Sequence, residues 1–220
     1  MMPGNKKLLL IGAGGHCKSV IDTLVNLATY SCIGIIEKKE IYEQNIVNKN
    51  TFMGVPIVGT DANLQSLHSK GYTDAFITIG SVGDTTVRKA IYNNLKKFGF
   101  HIPNIIDVTS IVSSSVEFGE GIFIGKHVIV NANVKLGDCV ILNTGSIIEH
   151  DCKIESFVHI SPGSVLCGNV WVEQETHVGA GSVIKQGIHI GEQTMIGLGS
   201  VVIKSIGSHK TAYGNPCREV

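Results

Sequence analysis

The sequence predicts a two-part fold: a small α/β domain with a parallel sheet, Rossmann-like in its alternation, followed by a parallel β-helix of hexapeptide repeats. Three observations predict it. Up to residue 103, short apolar runs alternate with helical segments. From there on every sixth residue is apolar: Val112, Phe118, Ile124, Val130, Leu136, Leu142, Ile148, Ile154, Ile160, Leu166, Val172, Val178, Ile184, Ile190, Ile196 and Val202. Four positions after nearly every one of these stands a small or β-branched residue, as at Val128, Ser146, Cys152, Ser164, Thr176 and Ser200. In a chain that is 43% hydrophobic, such an unbroken series does not arise by chance.

The first part reads in order as a strand in "KLLLIGAG", a helix over 15–29, a strand in "SCIGIIE", a helix over 61–70, a strand in "DAFITIG" and a helix over 84–98. Strands separated by helices pair in parallel through right-handed crossovers. In the second part each hexapeptide makes one short strand and one turn, and three of them close a triangular coil of 18 residues. About five coils fit between residues 112 and 202, each rising by the roughly 4.8 Å that separates paired strands. The expected division is 1–103 for the α/β domain, 104–206 for the β-helix and 207–220 for a C-terminal tail.

Lysine plus arginine (18) equals aspartate plus glutamate (18), and neither sign forms a run, so the chain carries no electrostatic footprint for nucleic acid or anionic lipid. Its expected partners are small molecules and copies of itself. The apolar start "LLLIGAG" is too short to span a membrane and has no cleavage pattern, so a cytoplasmic location is expected. Six cysteines without a C-x-x-C read as reduced thiols rather than as a disulfide framework or a metal cluster.

Residues 18 apart are vertical neighbours on such a prism, which places His150 of "SIIEHDCKI" under Gly168 and Gly168 under Gln186. A candidate base then lies one coil from a glycine whose amide no side chain shields. His159, half a coil away, belongs to the face opposite that corner, so one protomer cannot bring both histidines to one site. If they cooperate, a neighbouring prism supplies the second, and a cyclic trimer is the natural closure. The plainer readings stay open: a Glu-His-Asp turn is also ordinary solvated turn chemistry, and His159 with His177 also reads as a structural ladder. In the first part, "GAGGH" follows a strand and opens a helix, where unpaired amides and the helix dipole favour an anion. Cys17 stands where a dinucleotide fingerprint has its third glycine, so the motif is not that fingerprint. Gly80 and Ser81 end the third strand at the carboxyl edge where open α/β sheets bind ligands.

The combination of "LIGAGGH", a prism carrying "IIEHDCKI" and the ending "YGNPCR" resembles the PglD/NeuD-like sugar acyltransferases of the left-handed β-helix superfamily. The resemblance implies the left hand, a homotrimer, and acetyl transfer from acetyl-CoA to the 4-amino group of a nucleotide-linked 4-amino-4,6-dideoxy sugar, UDP favoured. It further implies His150 as general base, Asp151 as its orienting acid, His159 as a second histidine near the acetyl group, and Gly168 as backbone donor to the oxyanion. The cofactor would pass Gly168, Ala180 and Leu198, with Lys204, Lys210 and Arg218 toward its phosphates. The acceptor would take Gly12, Gly14, Gly15, His16 and Glu37, alongside Gly80, Ser81 and Arg88. A sialic acid or other sugar O-acetyltransferase needs the same base and is the alternative within the family. No metal is expected, because the H-x-x-x-x-H of a γ-carbonic-anhydrase-type zinc site is missing from the sequence. A non-catalytic scaffold is the remaining alternative.

Overall fold

The computed structural model describes residues 6–45 and 51–220. They form two compact units, one of the described residues up to Gly80 with Thr86–Pro103, the other of Ser81–Thr85 with Asn104–Val220. The short segment Ser81–Thr85 thus groups with the β-helix, although the sequence reading gave it to the α/β domain.

The first unit contains β1 (Lys7–Ile11), α1 (Gly15–Leu27), β2 (Cys32–Ile36), α2 (Lys39–Asn45), β3 (Thr51–Phe52), β4 (Val55–Gly59), α3 (Leu64–Ser69), β5 (Asp74–Ile77) and α4 (Thr86–Lys97). The sheet order is β3-β4-β2-β1-β5, with β1 parallel to both β2 and β5. Leu8, Leu9 and Leu10 of β1 are fully buried, as a central strand covered on both faces requires. The helix α2 and the hairpin β3–β4 were not foreseen. The hairpin turns at Met53–Gly54, both with positive φ, and β4 carries Pro56, which argues against an inner strand when the sequence is read alone.

The second unit is a prism of three parallel sheets. The 18-residue register holds throughout the repeats: Ile129 pairs with Ile147, Leu142 with Ile160, Val165 with Val183. The prism begins at Ile105–Ile106, inside the expected 104–206 and one hexapeptide before Val112, the first residue of the periodic series; this strand pairs with Phe123–Ile124. At the far end the spacing shortens from 18 to 16, so that Ile190 bridges Ile206 and Ile196 pairs with Ala212. Residues 207–220 are part of the prism: Thr211–Tyr213 adds a strand and Arg218–Glu219 returns antiparallel on it.

Both periodic series point inward, from Ile124 and Val128 to Val202, and merge into one aliphatic core. Phe118 is the exception, 41% exposed. Ser164, Ser182 and Ser200 stack in the interior, where Ser164 and Ser182 each donate a hydroxyl to a turn carbonyl of the next coil, at 2.9 and 3.0 Å. Buried hydroxyls need such partners. Between strands the backbone turns sharply, and every sixth residue from His127 to Gly199 has positive φ. Asp151 is one of these, at φ 62.

Candidate active site

The turn after the strand Ile147–Ile148 fixes the first element of the site. Because Asp151 is left-handed, its carboxylate folds back on the preceding residue, and His150 Nδ1 lies 2.8 Å from Asp151 Oδ2. Asn133, one coil below, approaches the other carboxylate oxygen at 3.4 Å. The hydrogen bond from His150 and then that from Asn133 hold the Asp151 carboxyl below its ordinary value, so it is an acceptor. Nδ1 therefore carries the proton and Nε2 is left as the basic nitrogen. Nε2 and Cε1 lie over Gly168: a Cβ built there would fall 2.7 Å from each. The Gly168 carbonyl accepts from Gly187, while its N–H meets no acceptor among the described residues. Base and open amide thus stand together at one corner, half-exposed to solvent.

His159 lies elsewhere, in the strand His159–Ile160 on the sheet that also holds His177. Its Nδ1 donates to the carbonyl of Ser81 at 2.9 Å, and Asn143 Nδ2 approaches Nε2 at 3.3 Å. Its ring meets that of His177 edge-on at 4.9 Å. Burial pushes His177 below the ordinary imidazole range, and its Nε2 pairs with Ser161 at 3.2 Å. Ser81 is 8% exposed and meets His159 through its backbone carbonyl, within the unit that holds the β-helix. Asn133 and Asn143 carry no signal of their own in the sequence, since asparagine in a repeat turn is commonplace.

Ala180 stands under Leu198 on a different corner, the Ala180 carbonyl accepting from Gly199 at 2.8 Å, and Leu198 is 81% exposed. Lys204, Cys217 and Arg218 line a surface hollow of about 250 Å³. Lys210 is not a free cation, being 3.3 Å from Glu219. Among the described residues no three His, Cys, Asp or Glu side chains gather as a metal group would require.

In the first unit Gly12 has φ 102 and hands its carbonyl to Thr78, while Ala13 N–H donates to Glu37 Oε2 at 2.8 Å. Glu37 Oε1 accepts from Lys38 N–H at 2.9 Å, so this carboxylate braces the loop. Gly14 caps α1 and Gly15 begins it; open space surrounds both, and no acidic residue occupies the first turn. His16 packs beside Gly80, whose added Cβ would lie 3.7 Å away. Burial raises the neighbouring Cys17 thiol to about 11, leaving it inert. Arg88 is 2% exposed, an inner residue of α4. Between the ends of β1 and β2 and the helix α4 opens a cavity of about 330 Å³.

Residues 7–95 match the family described as the PglD N-terminal domain. The chain is 33% identical to the acetyltransferase domain of PglB from Neisseria gonorrhoeae, solved with acetyl coenzyme A, over 99% of this chain and 100% of that one, with a TM-score of 0.89. Perosamine N-acetyltransferase from Caulobacter crescentus, solved with CoA and GDP-perosamine, is 31% identical over 97% of this chain and 96% of its own, with a TM-score of 0.86. WeeI from Acinetobacter baumannii is 26% identical over 98% and 100%, with a TM-score of 0.83. No curated protein is matched by the sequence. Fold and corner together define a hexapeptide-repeat acyltransferase of the left-handed β-helix superfamily. Within it, the chain belongs to the PglD/NeuD-like sugar acyltransferases, combining their N-terminal α/β domain with their prism.

Proposed function

We propose that the protein transfers the acetyl group of acetyl-CoA to the 4-amino group of a nucleotide-linked 4-amino-4,6-dideoxy sugar, with His150 as general base. The observation that carries this is the imidazole of His150, its Nδ1 tied to Asp151 and its Nε2 edge over the unpaired amide of Gly168. As the amine nitrogen attacks the thioester carbonyl, Nε2 takes the proton the amine must lose. The Gly168 N–H faces the developing oxyanion, a contribution worth about 3–4 kcal/mol in comparable holes. When the C–S bond breaks, the imidazolium returns the proton to the departing thiolate, and no acyl-enzyme forms. Asp151 holds the tautomer and balances the imidazolium charge. The crystallised relatives support the co-substrate, since PglB holds acetyl coenzyme A and the perosamine enzyme holds CoA with a nucleotide amino sugar. We assign CoA contacts to Gly168, Ala180 and Leu198, with Lys204 and Arg218 near its phosphates and Lys210 available only at the cost of its pairing with Glu219. The acceptor's phosphates go to the open turn of Gly12, Gly14, Gly15 and His16, with Gly80 beside it.

The test is release of free thiol from acetyl-CoA across UDP-, GDP- and dTDP-linked 4-amino sugars and free sialic acid. Turnover with a nucleotide amino sugar is the expected result; turnover with sialic acid alone would replace the N-acetylation reading by O-acetylation. His150→Ala should lower turnover by about 10²–10⁴-fold with acetyl-CoA binding retained, as loss of a general base does. Near-normal turnover would remove His150 from the mechanism.

A homotrimer belongs to the same reading. One sheet of the prism turns Ile111, Ile129, Ile147, Val165, Val183 and Val201 outward in a single column, with Ile111 66% and Val183 39% exposed. An all-aliphatic outer face of this length is what a neighbouring copy would cover.

A further inference from the structure

The cavity at the carboxyl edge of the first unit is walled by aliphatic side chains, among them Ile11, Ile36, Leu64, Val87 and Ile91, which suits the flat faces of a nucleobase. Its polar equipment is sparse: Glu37, Lys38, Asp61, Thr86 and Asn94. Both oxygens of Glu37 are already engaged by the amides of Ala13 and Lys38. Asp61 opens the short turn before α3, and its carboxylate makes no hydrogen bond or ion pair among the described residues. Partial burial and then the charge of Glu37 push the Asp61 carboxyl upward, against the opposing charge of Lys38.

We infer that this slot selects guanine, with the Asp61 carboxylate accepting from the base's N1–H and N2–H₂ side by side; the inference rests on the acceptor's nucleotide occupying the first unit. Guanine alone among the common bases presents two adjacent N–H donors on one edge, which match the two oxygens of a carboxylate. Uracil and thymine offer a single N3–H flanked by two carbonyls, so the second carboxylate oxygen would face a like dipole. The cavity's volume of about 330 Å³ leaves room for a two-ring base between the sheet edge and Asn94 on α4. This runs against the UDP preference that the family resemblance implies.

The experiment is calorimetric titration of the full chain with GDP, UDP and dTDP, repeated for Asp61→Asn and Asp61→Ala, alongside kcat/KM for GDP- and UDP-linked 4-amino sugars. GDP should bind at least about tenfold more tightly than UDP or dTDP, the scale of one bidentate contact to a base edge. Asp61→Asn should remove most of that preference while leaving UDP affinity within about threefold and the melting temperature unchanged. Equal or tighter UDP binding in the native protein, or a uniform loss for all three nucleotides in the variants, would overturn the assignment. In either case acetylation of a UDP-linked sugar would leave the acetyltransferase reading intact. Turnover with no nucleotide sugar at all would sink both.

Discussion

At the scale of single residues the proposed catalytic corner depends on what Gly168 lacks. A methyl group there would fall 2.7 Å from Nε2 and Cε1 of His150, so one of them must move. The imidazole is the mobile partner, because the Gly168 carbonyl is pinned by Gly187 N–H at 3.0 Å. Gly168→Ala should therefore cost on the order of 10²-fold in turnover, as a displacement near 1 Å does, with little change in melting temperature. An unchanged rate would mean that the His150–Gly168 contact has no catalytic role. Asp151 makes a different contribution. Its carboxyl lies below the ordinary 3.8 because it accepts from His150 and Asn133. For a depressed carboxylate the pairing is fully present above the ordinary value and is lost only as pH falls through the lower folded one. A pH–rate profile should accordingly show no acid limb from Asp151 above about pH 4. Asp151→Asn should reduce kcat by at least about tenfold, well short of the ~10⁴-fold seen when a buried triad carboxylate is replaced.

At the scale of elements the hexapeptide period carries nearly all of the information. The sequence reading located the inward series, the 18-residue stacking and the pairing of His150 with Gly168, because close packing in a narrow prism admits only apolar and small residues. It did not locate the left-handed turn series, since φ is a backbone property and the residues holding it include Phe157, Cys139, Glu175 and Gln193, none a usual left-handed residue. Yet that series aims Asp151 at His150. Likewise Pro56 hid an inner strand, and the slip from 18 to 16 at the C-terminal end hid the strand Thr211–Tyr213 inside an apparent tail. Turn geometry has a measurable energy. Gly145 has φ 68 with open space where a Cβ would go, so Gly145→Ala isolates the backbone penalty. It should destabilise the protein by about 1–2 kcal/mol in denaturant unfolding, and Gly145→Asn by less. The same prism carries an acid-sensitive element in His177, held below the usual 6.5 by burial. Unfolding lets that imidazole bind a proton more readily, so its contribution is complete above pH 6.5 and falls on acidification below it. The drop in melting temperature between pH 7 and 5 should be smaller in His177→Gln; an identical drop would place the acid sensitivity elsewhere.

At the scale of the whole molecule, His150 and His159 stand on different parts of one prism: a corner for the first, the sheet opposite for the second. Ring contacts and hydrogen bonds tie His159 to Ser81, Asn143 and His177 on that sheet. If both histidines serve one acetyl transfer, they come from two copies, and the aliphatic column from Ile111 to Val201 is the surface proposed to bring copies together. Two measurements separate this from a self-sufficient protomer. Val183→Glu places a charge in that column and should convert a trimer to monomers in sedimentation velocity, with loss of turnover but retained folding. Mixing His150→Ala with His159→Ala chains after unfolding and refolding should restore about one quarter of native turnover, because in a randomly assembled ring one site in four receives an intact histidine from each neighbour. Each variant alone should stay near its own basal rate. Mixed rings no more active than the separate variants would confine the chemistry to one prism and leave His159 a structural partner of His177.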